Sequence, residues 1–407
     1  MEHGTRGTRQ VSGNFTIKDF TIKDRAAIAG LGATPYYKRG TSLPQTLEEM
    51  VAKAIITAAD DAGIAVPDID GFAYFAGGFD SGALQEMLGL KDVSFSATLT
   101  GSGGGSAGAL GLAAAAIVSG QAKTVVCVGG VQQATLRYGA MPSTYEATAE
   151  SVFYQSAGLA GPGQMFALLA RRHMDLYGTT RDHFAEVAMA IRANAVGHPD
   201  ARMQKPMTRE DYFAAPMISD PHCLFDFCLE TDGAVAVIVT STERARDLRQ
   251  KPVLIHACEH GASVDWGRSI YWMGMPDESF ASSGNASIAK RLYAKSDFGP
   301  GDIDVAQIYD HFSSQVIMQL EDYGFCAKGE GGPFVASGAI RPDGSLPINT
   351  DGGQLSGGYI WGMTHVREAV DQLRGLAHNQ VKDARTCLVT GGPSNLPVSG
   401  LILRSEA

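Results

Sequence analysis

Short apolar runs alternate with stretches of helical periodicity along most of this chain. In the first half, the apolar runs predict strands, and apolar residues that recur every three or four positions predict helices. The strands are 26–32, 71–75, 124–130 and 234–240, and the helices are 46–62 and 105–119. Strands that alternate with helices predict parallel sheets with crossover helices on both faces. The predicted fold class is therefore α/β.

The second half of the chain repeats this order. Strands are predicted at 252–257, 305–309, 386–391 and 399–404, and helices at 287–293 and 363–373. Val-Cys-Val-Gly-Gly at 126–130 is matched by Leu-Val-Thr-Gly-Gly at 388–392. Because the repeat is too long for a solenoid, we predict an internal duplication, with an N-terminal half at 25–250 and a C-terminal half at 251–407.

Two segments fall outside the repeat. Residues 1–24 are polar and lack a sustained apolar period, which predicts a mobile N-terminal arm. Residues 131–225 have no counterpart in the second half and contain predicted helices at 164–177 and 182–196. Because an insertion above a rigid sheet usually shapes a substrate pocket, we interpret 131–225 as an inserted loop domain.

Composition narrows the possible partners. The 407 residues carry a net charge of −10 at pH 7, which disfavours nucleic acid because phosphate backbones are bound by clustered Lys and Arg. The six cysteines lie mostly in apolar contexts, as in reduced cytoplasmic proteins. His222, Cys223 and Cys228 could form half of a metal site, but no second pair with ligand spacing follows. We therefore expect a cytoplasmic protein with no metal and, lacking an apolar stretch of about 18 to 20 residues, no membrane span.

Two segments of the second half hold the candidate chemistry. The apolar run 305–308 leads into Tyr309-Asp310-His311, and the glycine-rich run 352–358 precedes Tyr359. An apolar strand presents the ionisable residues at its C-terminal end, and a glycine-rich run predicts a tight turn. One strand-end tyrosine alone is more often a core residue with a satisfied hydroxyl group.

The two segments resemble motifs of the thiolase superfamily. Tyr309 stands at the asparagine of the family's Asn-Glu-Ala-Phe motif, and Tyr359 at the histidine of its Gly-His-Pro motif. The resemblance implies a duplicated five-layer α-β-α-β-α fold with 131–225 as the loop domain. It also places the family's nucleophilic cysteine at Gly104 and its second catalytic cysteine at Val389. Without a thiol at either position, covalent acyl transfer is disfavoured.

The combination of Tyr-Asp-His-Phe, Asn-Thr-x-Gly-Gly-Gln-Leu and Tyr-Ile-x-Gly-Met is similar to the lipid-transfer-protein branch of the superfamily, and most similar to steroid side-chain-cleaving aldolases. This resemblance implies retro-aldol cleavage of a β-hydroxyacyl-CoA, with a steroid as the acyl part, to a ketone and a shortened acyl-CoA such as propionyl-CoA. It implies no cofactor, since CoA is part of the substrate. The implied partners are a second copy of the chain, paired through the N-terminal halves, and a small DUF35-type protein with an OB-fold.

The resemblance also gives roles to four side chains. Two tyrosines at the two catalytic motif positions favour chemistry over core packing, so Tyr309 is expected to take the β-hydroxyl proton and Tyr359 to protonate Cα. Because an unperturbed tyrosine has a pKa near about 10, a neighbouring group has to make its anion accessible. Asp310 and His311 are the groups expected to do so.

The chain lacks both thiols but retains backbone groups that are suited to stabilising a thioester enolate. Backbone N–H groups near Gly104 and Gly391 are expected to form an oxyanion hole. Two other functions stay open: a thiolase-like acyl-CoA or lipid-binding subunit without catalysis, and a thiolase or acyltransferase that uses an unaligned cysteine such as Cys387. A nucleotide site at the glycine run 101–106 is disfavoured, because no Gly-x-Gly-x-x-Gly unit follows the first strand and no Gly-Lys-Ser/Thr occurs.

Overall fold

The structure is a computed structural model that describes residues 21–75, 79, 81–99, 103–134, 149–159, 161–262, 280–392, 394 and 397–406. The helices are α1 (Leu47–Ala62), α2 (Ser81–Leu88), α3 (Gly105–Val118), α4 (Ala149–Ser156), α5 (Pro162–Tyr177), α6 (Arg181–Ala195), α7 (Arg209–Ala214), α8 (Thr242–Arg246), α9 (Ala286–Ser296), α10 (Ser313–Asp322), α11 (Gly331–Ala336) and α12 (Met363–Arg374). The strands are β1 (Ala26–Ala33), β2 (Tyr37–Lys38), β3 (Gly71–Phe75), β4 (Phe95–Leu99), β5 (Thr124–Gln132), β6 (Met217–Ser219), β7 (His222–Cys223), β8 (Thr231–Ser241), β9 (Val253–Gly261), β10 (Val305–Gln307), β11 (Thr386–Gly391) and β12 (Val398–Ser405).

One ten-stranded sheet runs through both halves of the chain. Its order is β10-β11-β12-β9-β1-β8-β5-β3-β4, with β2 paired to β8. In the N-terminal half, β3 and β5 are parallel and β8 pairs antiparallel with β5 and β1. In the C-terminal half, β10 and β11 are parallel and β12 pairs antiparallel with β11 and β9. The same pairing order thus occurs twice, and the two sets join where β1 pairs with β9.

The prediction of parallel sheets is wrong for most neighbouring strands. Among the described strands, the parallel pairs are β3 with β4, β3 with β5, and β10 with β11. The short connection between β11 and β12 has no room for a crossover helix, and strands joined in this way pair antiparallel. Apolar runs indicate burial on both faces, but they do not reveal strand direction.

The two halves of the sheet form two layers, and three groups of helices form the other three. Helix α1 packs on the outer face of the N-terminal half. Helices α3 and α12 lie between the two halves and contact strands of both. Helices α9 and α10 cover the outer face of the C-terminal half. The predicted α/β fold with five layers is confirmed.

Local sequence explains how these helices begin, end and pack. Thr46 caps α1, since its hydroxyl oxygen accepts a hydrogen bond from the backbone N–H of Glu49 at 3.2 Å. The helix ends at Gly63, whose φ of 75° suits glycine. Helix α3 lies so close to β9 that a Cβ at Gly111 would come within 2.4 Å of the Cys258 Sγ. Small residues therefore set the spacing of the central layer.

The end of the predicted N-terminal arm is held in place, which corrects that prediction for residues 21–24. Ile22 packs against the central core. The Asp24 carboxylate accepts hydrogen bonds from the Arg404 guanidinium at 2.9 Å and pairs with His256 at 3.0 Å. Residues 1–20 lie outside the described residues. Charge pairing with the C-terminal strand, which local composition does not reveal, fixes this segment.

The insertion between β5 and β8 contains α4 to α7 and the β6–β7 hairpin. Two side chains of α6 connect it to the C-terminal half. The Arg192 Nε donates a hydrogen bond to the Ser356 Oγ at 2.9 Å, and the Asn194 Nδ2 donates to the backbone oxygen of Asn349 at 3.1 Å. The insertion therefore packs against the glycine-rich turn that precedes Tyr359. Among the described helices, none is both long and apolar enough to cross a bilayer.

Candidate active site

Tyr309 is held at the end of β10 by its backbone. The strand ends at Gln307, two residues before the end at residue 309 that the sequence predicted. The Tyr309 N–H donates to the Thr390 Oγ1 at 2.9 Å, and its carbonyl oxygen accepts from the Gln319 Nε2 at 2.8 Å. The Thr390 hydroxyl in turn donates to the Gln319 Oε1 at 2.6 Å. Strand β11 and helix α10 thereby fix the position of this tyrosine.

Tyr359 follows the predicted glycine-rich turn. Residues Gly353–Gly357 form one π-helical turn, a feature that often marks functional sites. The Thr231 hydroxyl accepts a hydrogen bond from the Tyr359 N–H at 2.9 Å and donates to the Tyr359 carbonyl oxygen at 2.7 Å. The first residue of β8 thus holds the backbone of the second tyrosine.

The two phenols meet in the interior. Their hydroxyl oxygens lie 3.5 Å apart, and each residue is 3% exposed. Burial raises the pKa of Tyr309 well above its usual value, and the neighbouring Tyr359 raises it further. Burial therefore favours the protonated form of the Tyr309 phenol. The structure brings together the two tyrosines that the motifs singled out.

Two glycines make room for the Tyr309 ring. A Cβ at Gly103 would lie 1.9 Å from the Tyr309 hydroxyl oxygen, and a Cβ at Gly362 would lie 2.9 Å from its Cε2. Neither separation is possible between real atoms. The phenol occupies the space that a side chain beside the start of α3 would need, next to the position expected for a thiolase nucleophile.

The two expected backbone donors of the oxyanion hole lie in adjacent segments. Gly104 directly precedes α3, and a Cβ at Gly392 would come within 2.2 Å of the Gly104 nitrogen. Gly391 approaches the same segment, since its own Cβ would lie 3.0 Å from the Gly103 carbonyl oxygen. Val389 is buried within β11. The geometry is compatible with the expected oxyanion hole, whose function stays a prediction.

Asp310 anchors the glycine-rich turn. Its carboxylate accepts hydrogen bonds from the backbone N–H groups of Gln354 at 2.9 Å and Leu355 at 3.1 Å. The His365 Nε2 lies 3.1 Å from the same carboxylate. Asp310 therefore positions the turn that leads to Tyr359. Its observed contacts do not give it the expected role of making a tyrosine anion accessible.

His311 packs edge to face on the Tyr309 ring, with 5.2 Å between the ring centroids. Burial lowers its pKa to about 3, and the nearby His222 contributes to this effect. A neutral imidazole provides no positive charge to stabilise a tyrosine anion. The pKa of Tyr309 is raised in this geometry, and the expected tuning by His311 stays a prediction.

The cysteines differ in their relation to the phenols. Cys387 is fully buried, and burial raises its pKa well above the usual value. It lies near the start of β11, opposite Val305, whereas the site lies at the other end of the strand. Cys228 is close enough to Tyr309 to contribute to its raised pKa. Among the described residues, no group of three or more His, Cys, Asp or Glu side chains is arranged to hold a metal ion.

Sequence reasoning missed several residues that position the two phenols. They are Gly103, Thr231, Gln319, Gly362 and Thr390. A signal existed for Thr390, which directly precedes the Gly-Gly pair at the end of β11. A signal also existed for Gln319, which lies on the amphipathic helix α10 that was not predicted. No local pattern links Gly103 to the Tyr309 ring, because the two residues meet only in the tertiary structure.

Comparisons with known proteins agree with this geometry. A thiolase C-terminal domain-like family model matches residues 271–397. The 17-hydroxy-3-oxo-4-pregnene-20-carboxyl-CoA lyase of Mycobacterium tuberculosis is 37% identical over 94% of this chain and 100% of its own length. A steroid side-chain-cleaving aldolase of Thermomonospora curvata is 36% identical over 94% of this chain and 98% of its own length. The chain belongs to this family of thiolase-like aldolases. The resemblance predicted from the sequence is confirmed.

Solved structures give the same result. The aldolase resembles a structure described as an Ltp2-ChsH2(DUF35) aldolase, with a TM-score of 0.86 and 35% identity over 95% of this chain and 99% of that chain. An acetyl-CoA acetyltransferase from Syntrophomonas wolfei, at 14% identity, matches over 94% of this chain and 100% of its own with a TM-score of 0.66. That second likeness shows a shared fold alone. This aldolase is thus a carbon–carbon lyase on a thiolase scaffold.

Proposed function

We propose that this aldolase cleaves the Cα–Cβ bond of a β-hydroxyacyl-CoA on a steroid side chain, releasing a ketone and a shortened acyl-CoA such as propionyl-CoA. The observation that carries the proposal is the buried pair of phenols, Tyr309 and Tyr359, with their oxygens 3.5 Å apart. The names of the lyase and the aldolase among its relatives support the same reaction. The thioester accepts the electrons of the broken bond, so the proposed reaction needs no cofactor.

Proton transfer in this reaction runs through the tyrosine pair. As the Cα–Cβ bond breaks, the C–O bond becomes a carbonyl and the electron pair moves into the thioester. In one relay, the Tyr309 Oη takes the β-hydroxyl proton while it gives its own proton to the Tyr359 Oη, 3.5 Å away, and Tyr359 gives its proton to Cα. Both phenols keep one proton throughout. This relay avoids a free tyrosine anion, which the burial of Tyr309 disfavours.

The enolate of the shortened thioester needs hydrogen-bond donors. We assign this role to the backbone N–H groups near Gly104 and Gly391. Gly104 lies at the N-terminal end of α3, where the helix dipole favours a negative charge. Donors that are fixed before the reaction stabilise the developing anion without reorganisation. The proposed oxyanion hole therefore depends on the close approach of α3 and the end of β11.

The reaction is tested with purified protein and 17-hydroxy-3-oxo-4-pregnene-20-carboxyl-CoA. Mass spectrometry is expected to detect a steroid C17 ketone and propionyl-CoA in equal amounts. Binding of the thioester with neither product would favour the alternative of a non-catalytic acyl-CoA or lipid-binding subunit. Release of acetyl-CoA or acyl exchange with free CoA would favour a thiolase instead.

The proposed partners follow from the sheet and from one solved relative. We propose a homodimer through β4, an edge strand of the sheet whose backbone groups would otherwise invite aggregation. Monomer-sized particles of 42.9 kDa at micromolar concentration would contradict this proposal. We also propose a DUF35-type protein with an OB-fold as a second subunit, because such a domain is named in the similar structure. Co-purification from the native host, followed by mass spectrometry, tests this partner, and cell fractionation tests the proposed cytoplasmic location.

A further inference from the structure

His311 is a buried polar side chain that lacks a hydrogen-bond partner. The residue is 9% exposed, and within the described part of the chain neither its Nδ1 nor its Nε2 has a partner. A buried polar group without a partner costs free energy, so nearly all such groups in native proteins are satisfied. Next to a candidate catalytic residue, a bound substrate would supply the missing partner.

Aromatic rings surround this imidazole. The Phe166 ring meets it edge to face at 4.3 Å between centroids, and the Phe312 ring lies at 4.8 Å. The Tyr309 phenol packs against it at 5.2 Å. His311 therefore lies where an apolar wall meets the proposed proton-transfer pair. An apolar substrate body on this side would bring its reacting oxygen next to both His311 and Tyr309.

The charge state of His311 indicates which chemical group it would bind. Burial lowers its pKa to about 3, so the ring is neutral at ordinary pH. A neutral imidazole offers one N–H donor and one nitrogen acceptor. Such a pair suits an uncharged hydroxyl or ketone oxygen rather than a phosphate or carboxylate. The neighbouring histidine in space, His222, already uses its Nε2 in a hydrogen bond with the Ser314 Oγ at 2.9 Å.

We propose that the His311 N–H binds the β-oxygen of the substrate, which is a hydroxyl before bond cleavage and a ketone after it. This proposal rests on the retro-aldol function proposed above. The hydroxyl proton goes to Tyr309, and His311 donates a hydrogen bond without transferring a proton. Because the oxygen gains negative charge as its proton leaves, a donor at this point stabilises the transition state more than the ground state. His311 thus selects substrates that carry an oxygen at Cβ.

The first test compares His311→Phe with His256→Phe. The His256 ring is also buried and stacks on Phe298 at 4.3 Å, but both its nitrogens have partners, Asp24 and the Ser296 carbonyl oxygen. We expect His311→Phe to lower kcat/KM by about 10-fold to 100-fold, as for a lost hydrogen bond, with an unchanged or higher melting temperature. His256→Phe should lower the melting temperature and leave turnover per folded molecule nearly unchanged.

Two conservative variants refine this result. Asn places an N–H near the Nδ1 position and Gln near the Nε2 position, so we expect one of His311→Asn and His311→Gln to recover part of the lost rate. If His311→Phe keeps more than about half of the wild-type kcat/KM, the proposal is wrong. The proposal is equally wrong if His311→Phe loses stability in parallel with activity and neither amide variant recovers the rate.

A binding measurement tests the proposal without turnover. We expect the wild-type protein to bind a 17-keto androstane about 10-fold more tightly than the matched androstane lacking the 17-oxygen, and His311→Phe to remove this difference. Equal affinity of the wild-type protein for both probes would overturn the proposal for His311. Because the retro-aldol function is judged by product formation with wild-type protein, its failure is distinguishable from failure of this proposal.

Discussion

The Tyr309 hydroxyl group lies in the space that any side chain at Gly103 would occupy, since a Cβ at residue 103 would be 1.9 Å from the hydroxyl oxygen. An alanine at residue 103 would therefore clash with the ring. A cysteine in this position and the tyrosine cannot both occupy the observed site. A side chain at residue 103 and the Tyr309 phenol therefore exclude each other, directly before Gly104, the position at which the resemblance places the thiolase cysteine.

Gly103→Ala should displace the Tyr309 ring and lower kcat by about 100-fold, because small misplacements of a reacting group have effects of this size. Steady-state kinetics with the steroid thioester measure the loss. In a Tyr309→Phe background the same substitution should add little, since the hydroxyl is already missing. Gly301→Ala is the matched control, because a Cβ there would have nothing within 4 Å. Equal activity of Gly103→Ala and Gly301→Ala would contradict the steric argument.

Removing either phenolic hydroxyl should abolish most of the catalysis. We expect Tyr309→Phe and Tyr359→Phe each to lower kcat by about 10² to 10⁴ while acyl-CoA affinity changes little, because the rings remain in place. The double variant should be little worse than the poorer single variant, as for groups that act as a unit. Rapid-mix kinetics and equilibrium titration separate the two quantities. If both single variants keep more than about half of kcat/KM, the residues are structural and the carrier alternative moves ahead.

No covalent acyl-enzyme should form. Gly104 and Val389 have no thiol, and burial raises the pKa of Cys387, so its reactive thiolate form is suppressed. Intact-mass spectrometry during turnover should therefore show the unmodified chain. Because Cys228 lies near Tyr309, Cys228→Ala is the decisive variant, and we expect it to keep its activity. An acyl adduct that disappears in Cys228→Ala together with turnover would establish a covalent mechanism.

Asp310→Asn should weaken both the fold and the site. The substitution removes the charge that accepts hydrogen bonds from two backbone N–H groups of the glycine-rich turn and pairs with His365. We expect a loss of about 2 to 4 kcal/mol in the free energy of unfolding and a lower kcat, since the turn leads to Tyr359. Denaturant titration and kinetics measure these effects.

Asp70→Asn is the matched control for Asp310→Asn. The Asp70 carboxylate also accepts from backbone N–H groups, those of Lys123 and Thr124 at 3.0 and 2.8 Å, but in the other half of the chain. Its substitution should lower stability and leave turnover per folded molecule nearly intact. A similar loss of kcat in both variants would mean that Asp310 acts on stability alone.

Stability should fall in acid because of Asp24. Burial alone would raise the pKa of this carboxyl, but hydrogen bonds with His256 and Arg404 lower it from 3.8 to about 2. Because this pKa is lowered in the folded state, the contribution of the Asp24 carboxylate to the free energy of unfolding is complete above about pH 4. It is lost as the pH falls toward 2. After allowance for solvent screening, we expect a contribution of about 1 to 2 kcal/mol.

Urea titrations between pH 2 and 5 measure this contribution. Asp24→Asn should have a smaller slope of unfolding free energy against pH than the wild-type protein. Asp297→Asn is the control, because Asp297 pairs with Lys23 at the surface and its side chain is 85% exposed. Identical slopes for the wild-type protein and Asp24→Asn would show that the ion pair contributes nothing measurable.

The sequence by itself determined the positions of many elements and of the two tyrosines. The predicted strands 71–75 and 386–391 match β3 and β11 residue for residue, because apolar runs and bordering glycines are local signals of buried strands. The spacing of glycines before Tyr359 predicted a tight turn that the structure contains. The family resemblance then pointed to Tyr309 and Tyr359 as one site.

Only the tertiary structure decided strand direction, charge states and the fit of the site. Strand β8 pairs antiparallel with β5, and β12 pairs antiparallel with β11. These directions depend on how the chain returns to the sheet, which a local apolar pattern does not encode. Burial lowers the pKa of His311 to about 3 and raises the pKa of Tyr309, which the sequence alone does not reveal. The contact between Gly103 and Tyr309 joins residues from different halves. Periodicity indicates which residues are buried, whereas the atoms that each one meets depend on packing between segments distant in the chain.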